Sequence, residues 1–186
     1  ITERFDWGGR VGKLIGPSDF SYKLQCSNAS CLEINSNYGR LENLWVDLAD
    51  TNSTYQGAIK IDLADSGIVG DIRLHNIIAE GPGADNDREH MRCINVQDSG
   101  DAGTTIYFSN ILAYGVSSVA NCKAFNFQGA QNTYYLRHVT IPDGTIGMYS
   151  AAAVLIDLYN VLNNATLGYT LTSDAITGYN NLSYDA

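Results

Sequence analysis

The sequence predicts an all-β solenoid, a chain of short strands wound into stacked coils. Three observations carry that expectation. A phrase of apolar residue, any residue, Asn and two apolar residues recurs as Leu41-Glu42-Asn43-Leu44-Trp45, Leu74-His75-Asn76-Ile77-Ile78 and Phe108-Ser109-Asn110-Ile111-Leu112. It continues as Leu136-Arg137-His138-Val139-Thr140 and Leu158-Tyr159-Asn160-Val161-Leu162, and fades at Tyr179-Asn180-Asn181-Leu182-Ser183. The reference positions Asn43, Asn76, Asn110, His138, Asn160 and Asn181 are 33, 34, 28, 22 and 21 residues apart, a period that marks stacked repeats. Residues alternate apolar and polar on each side of the Asn, the period of a strand and not of a helix. Composition agrees: charged residues make up 17% of the chain, with 18 Gly and 3 Pro, which suits strands and turns.

At 186 residues the chain is long enough for one domain with a substantial core. It opens at Ile1 without Met, the pattern of a processed or trimmed chain. Residues 1–16, with Trp7-Gly8-Gly9 and Gly12, form an entry segment, and 17–186 form about six coils. Within a coil, the first arm buries the residues four and two before the Asn (Ile72 and Leu74, Ile106 and Phe108, Tyr134 and Leu136, Ile156 and Leu158). The second arm buries the residues one and three after it (Leu44 and Val46, Ile77 and Ala79, Ile111 and Ala113, Val139 and Ile141). The Asn breaks the alternation as a tight corner would, because Asn tolerates the left-handed backbone such a corner needs. Stacked Asn side chains can also bond to one another along the axis. A third strand recurs as Leu32-Glu33-Ile34, Ile59-Lys60-Ile61, Ile94-Asn95-Val96, Phe125-Asn126-Phe127, Ile146-Gly147-Met148 and Leu167-Gly168-Tyr169.

These Asn-cornered coils, over roughly residues 12–185, resemble the right-handed parallel β-helix of the pectate-lyase-like superfamily. Gly12-Lys13-Leu14-Ile15-Gly16 is similar to the entry coil of many phage tailspikes. The resemblance implies a single-stranded parallel β-helix. It leaves function open, since the superfamily holds polysaccharide lyases, glycoside hydrolases, esterases, virion tailspikes and non-catalytic adhesins. In its catalytic members the sheet corresponding to the third strand commonly forms the polysaccharide groove.

Outward columns give the functional expectations. The column two residues after the corner reads Trp45, Ile78, Leu112, Thr140, Leu162, Ser183. An apolar ridge of that length reads as a contact surface for a second copy, in a trimer or a fibre, or as a seat for another part of the same chain. The third strand presents Glu33, Lys60, Asn95, Asn126, Gly147, Gly168 in one column and Asn35, Asp62, Gln97, Gln128, Tyr149, Thr170 in the other. Of these, Lys60, Asp62, Asn95, Gln97, Asn126, Gln128 and Tyr149 are the candidate glycan-binding face. Amides and a carboxylate match sugar hydroxyls and Tyr can stack on a ring; the alternative is a plain solvated face. Glu33 and Asp62, one rung and two residues apart, are the candidate catalytic carboxyl pair, at a Cα separation of roughly 8 Å.

No nucleophile elbow or Ser-His-Asp order is visible. The paired Asp and Gly-His-Gly of polygalacturonases are absent, as is the Arg and Asp cluster of a pectate-lyase calcium site. No cofactor is called for; the one candidate Ca²⁺ loop is Asp85, Asp87 and Glu89, which reads more readily as a solvated loop tip. Cys26 and Cys31 are spaced to close a small disulfide loop, and Cys93 and Cys122 lie about one coil apart. The four read either as two disulfides, implying an oxidising compartment, or as buried thiols. Asn28, Asn52 and Asn164 are candidate glycosylation sites, with Asn181 a fourth sequon inside the corner phrase. A net charge of −9 disfavours nucleic acid and anionic membrane surfaces, and no apolar stretch reaches the 18 residues of a membrane span.

The expectation is therefore an extracellular or virion-surface structural or adhesion β-helix that self-assembles and binds surface glycans. The alternative is a polysaccharide-degrading enzyme of the same superfamily.

Overall fold

The computed structural model describes residues 5–6, 12–27, 30–35, 38–50, 57–63, 70–82, 92–98, 103–115, 122–128, 132–150, 154–171 and 175–183. All regular structure among them is β. The strands are β1 (Phe5–Asp6), β2 (Gly12–Ile15), β3 (Lys23–Ser27), β4 (Leu32–Ile34), β5 (Tyr38–Asp50), β6 (Gly57–Leu63), β7 (Asp71–Glu80) and β8 (Arg92–Asp98). They continue with β9 (Thr105–Tyr114), β10 (Lys123–Phe127), β11 (Thr133–Ile141), β12 (Ile146–Ser150), β13 (Leu155–Asn163), β14 (Leu167–Leu171), β15 (Ala175–Tyr179) and β16 (Leu182–Ser183).

The chain alternates between two sheets. One has the order β1-β4-β6-β8-β10-β12-β14, the other β15-β13-β11-β9-β7-β5-β2, with β3 beside β5 and β16 beside β13. All pairings are parallel. Each long strand of the second sheet contains both arms of the repeated phrase. β2, inside the entry segment, already pairs with β5, Gly12 opposite Gly39 and Ile15 opposite Glu42.

The core lies between the two sheets. Its columns are the residues the alternation selects: Ile72, Leu74, Ile106, Phe108, Tyr134 and Leu136 from the first arms and Val46, Ala79, Ala113 and Ile141 from the second, all fully buried. Phe108, Phe125, Phe127 and Tyr134 fill its middle, with ring centroids 4.4–6.2 Å apart. Burying one such ring is worth about 1.5–3 kcal/mol.

Asn43, Asn76, Asn110, His138 and Asn160, the reference residues of the phrase, have φ between 52° and 55°. Asn76 Nδ2 donates to Asn43 Oδ1 at 2.9 Å, and Asn110 Nδ2 to Asn76 Oδ1 at 3.0 Å. Asn160 Nδ2 lies 3.3 Å from His138 Nδ1. At the last repeat it is Asn180 that has the left-handed φ, 58°, and Tyr159 stands opposite Tyr179 and Leu162 opposite Leu182. The final step is therefore 20 residues, one fewer than the phrase suggests, and Leu182 replaces Ser183 at the end of the outward column. The neighbouring Asn181 accepts from Val161 N–H at 3.0 Å and donates to Leu158 C=O at 3.2 Å.

The third-strand register also differs from the expectation in the late repeats. Phe125 pairs with Met148 and Asn126 with Tyr149, so β12 is shifted by two residues. A shift of two keeps every side chain on its own face, so the apolar pattern cannot detect it.

Candidate functional site

On the third-strand sheet, the residues expected to bind glycan do not form one open surface. Asn95 and Asn126 are fully buried, and Asn126 Nδ2 donates to Asn95 Oδ1 at 2.8 Å. They form a buried amide–amide hydrogen bond and are closed to a ligand. Lys60, Asp62, Gln97, Gln128 and Tyr149 are half-buried. Outward parity alone predicted exposure for all seven, but parity reports direction and not what covers a face.

The Glu33 and Asp62 carboxylates are tied by one ammonium. Lys60 Nζ donates to Glu33 Oε1 at 3.2 Å and to Asp62 Oδ2 at 2.8 Å, and Glu33 is 4% exposed. Burial lowers the Lys60 affinity for its proton, but the bonds to Asp62 and Glu33 outweigh it and hold Lys60 in its charged form. An inverting glycosidase keeps one carboxyl protonated and leaves room for water between the two. Here a cation occupies the position between them, so the pair is built as a salt bridge.

The ridge is present as a stacked column. Trp45, Ile78, Leu112, Thr140 and Leu162 stand opposite one another, and Leu182 completes the row. The first four are half-buried; Leu162 and Leu182 are 42% and 65% exposed. Its N-terminal end runs into a polar cluster. Lys23 lies over the Trp45 ring, 4.6 Å from the centroid, and pairs with Asp47 at 2.8 Å and Glu80 at 3.0 Å. Trp45 Nε1 donates to Glu80 at 2.9 Å, and Gln25 Nε2 to Asp47 at 2.6 Å. Burial pushes the Glu80 carboxyl up, but the bonds from Lys23, Trp45 and Tyr114 bring it below the ordinary value. Burial and the bond to Glu80 push Tyr114 up to about 12. The cluster fastens β3 to β5 and β7.

The first arms carry a face that the sequence reading passed over. The column three before the corner reads Arg40, Arg73, Tyr107, Tyr135, Asp157, Thr177, with Lys13 ahead of Arg40. The column one before reads Glu42, His75, Ser109, Arg137, Tyr159, Tyr179. Tyr107 and Tyr135 stack at 5.0 Å with planes 10° apart, Arg73 caps Tyr107 at 5.1 Å, and Arg137 sits 5.5 Å and 5.8 Å from the Tyr135 and Tyr159 rings. Tyr159 meets Tyr179 edge to face at 4.7 Å. Three shallow depressions of about 350, 360 and 190 Å³ follow this face; the first shares Arg40 and Arg73 with the second and Tyr135 with the third. Arg73 is bound twice by Asp71, at 2.7 and 2.8 Å, Arg40 pairs with Glu42 at 3.1 Å, and Arg137 with Asp157 at 2.5 Å. The signal was present in the sequence as the two outward positions before each reference Asn.

The remaining site expectations divide. Cys26 and Cys31 are disulfide-bonded. Cys93 and Cys122 are buried and not bonded to each other: Lys123 stands opposite Arg92, and this register puts Cys122 two residues out of step with Cys93. Asn164 is exposed, with its amide donating to Pro142 C=O at 3.1 Å. Asn28, Asn52 and the Asp85, Asp87, Glu89 loop lie outside the described residues. No protein-family model, curated protein or solved structure matches this chain.

Proposed function

We propose that the chain is a right-handed, single-stranded parallel β-helix of about six coils that serves as a structural or adhesion module. Right-handedness follows from the strong preference of parallel crossover connections. The likeness to the pectate-lyase-like superfamily is kept within this reading, on the Asn phrase and the two parallel sheets. The observation that carries the reading is the ridge Trp45, Ile78, Leu112, Leu162, Leu182. A column of large apolar side chains along the outside of a stack is costly to leave in water. A second copy supplies the same column, so two ridges bury each other in a trimer or fibre. The Cys26–Cys31 disulfide supports an oxidising, extracellular or virion-surface setting. Surface glycans are the partner we assign to the outer faces; neither nucleic acid nor membrane insertion is part of the reading.

Light scattering on the wild type and on Leu112→Asp tests the assembly. We expect a defined oligomer or a concentration-dependent polymer that the variant reduces to a folded monomer. A wild type that stays monomeric at all concentrations, or a variant of unchanged mass, overturns it. The enzyme alternative, glycan cleavage through Glu33 and Asp62, is disfavoured by the Lys60 bridge. Cleavage of a polysaccharide that Asp62→Asn abolishes would restore it.

A further inference from the structure

We propose that the Arg–Tyr trough on the first arms is a binding site for an acidic polysaccharide. This rests on the glycan part of the preceding reading and moves it to a different face.

The argument starts from how the rings are used. Tyr107 and Tyr135 lie face to face, and the guanidinium groups of Arg73 and Arg137 sit against the outer faces of that pair. The aromatic faces therefore look along the stack, at each other and at cations. What they turn outward is their edges. A neutral sugar ring that stacks on aromatics needs an open face, and this ladder offers none. A ring edge carries the positive end of the quadrupole. The hydroxyls of Tyr107 and Tyr135 make no hydrogen bond among the described residues, and both rings are half-buried. Arg73 uses Nε and Nη2 on Asp71, which leaves Nη1 as a donor beside the Tyr107 ring. The strip is thus a row of donors with positive edges, complementary to acceptors and to anions.

Charge agrees. Along the two columns and Asp71, the cations Lys13, Arg40, Arg73 and Arg137 face the carboxylates Glu42, Asp71 and Asp157, four against three, on a chain of net charge −9. The strip therefore carries one net positive charge. Its residues repeat at the rung step of about 4.8 Å, so the six steps from Lys13 to Thr177 span roughly 29 Å. That length takes a linear chain with regularly repeated anionic groups. The chemistry shared by possible ligands is a carboxylate or sulfate on a sugar ring.

The test is affinity electrophoresis of the wild-type protein through gels containing alginate (carboxylated), heparin (sulfated), dextran (neutral) or duplex DNA. Arg73→Gln and the double variant Tyr107→Phe/Tyr135→Phe serve as probes; the latter keeps the stack and removes only the hydroxyls. Retardation by alginate or heparin, absent with dextran and DNA, supports the site, and which gel retards identifies the anion. Each variant should weaken it about tenfold, the effect of losing a charge-assisted or buried donor. Circular dichroism and melting temperature should match the wild type, so a loss of binding is not a loss of fold. Retardation by dextran alone refutes the acidic ligand while keeping the glycan reading. No retardation by any sugar refutes both. Equal retardation by DNA, or variants that bind as the wild type does, overturns the site.

Discussion

Replacing Asn76 separates the two reasons an Asn suits this left-handed position. Its φ is 52°, a left-handed value that costs an ordinary L-residue about 1–2 kcal/mol. Its side chain also donates to Asn43 and accepts from Asn110. These bonds are half-exposed, so each is worth about 0.5 kcal/mol, the low end of the usual range. Asn76→Ala loses both terms, about 2–3 kcal/mol in total. For a chain of this length that lowers the melting temperature by about 5–10 °C. Asn76→Asp tolerates the left-handed backbone and still accepts from Asn110, but cannot donate to Asn43; it should cost about 1 kcal/mol. Asn76→Val should be worst, since a β-branched residue at positive φ is a true outlier. Urea unfolding followed by circular dichroism gives the order Asn, Asp, Ala, Val. A Val variant as stable as the Asp variant would show that the corner is not held by backbone conformation.

Two titrations test the electrostatics. Lys123 is 5% exposed, and burial together with Arg92 pushes it down to about 8. Below that pH the folded state carries the whole cost of a buried charge, and stability rises between about pH 8 and pH 10.4, where the unfolded chain holds the extra proton. Lys123→Met should therefore stabilise at pH 7 by up to about 2 kcal/mol, with the gain shrinking towards pH 10; a gain independent of pH would refute it. Glu80 is lowered, so its contribution is present above the unfolded carboxyl value and lost as pH falls through the folded one. Glu80→Gln should be about 1 kcal/mol less stable than wild type at pH 7 and equal to it near pH 3. A difference that persists at pH 3 would assign the effect to packing.

The inward columns were legible because each phrase repeats the same alternation, and a strand whose one face is buried is strongly specified. Local pattern was weaker where two solutions share it. The slip of Tyr149 onto Asn126 preserves parity, and the adjacent Asn180 and Asn181 offer the corner two candidates that only the pairing of Leu162 with Leu182 separates. Of the two readings open for Cys93 and Cys122, the structure takes the buried thiols; the spacing alone could not choose, since a disulfide depends on register and the spacing gave only the coil.

Side-chain burial on the outer faces was the least legible feature, and it decides where a ligand can go. Asn95 and Asn126 look identical in the sequence to amides on a solvated face, yet they are fully buried. Arg73, Tyr107, Tyr135 and Arg137 look like scattered surface residues until the coils are stacked, because they are 34, 28 and 2 positions apart. Their contacts exist only in the stacked register, where a guanidinium falls on a ring and a ring on a ring. Stacked parallel strands make distant sequence positions neighbours at a fixed step, so a surface built on them is written down the columns and not along the chain. The donor strip of the first arms and the apolar ridge of the second are two such columns on one sheet, separated by the Asn corner. A copy docked on the ridge and a ligand in the trough would thus contact different columns, so assembly and glycan binding need not compete for the same side chains.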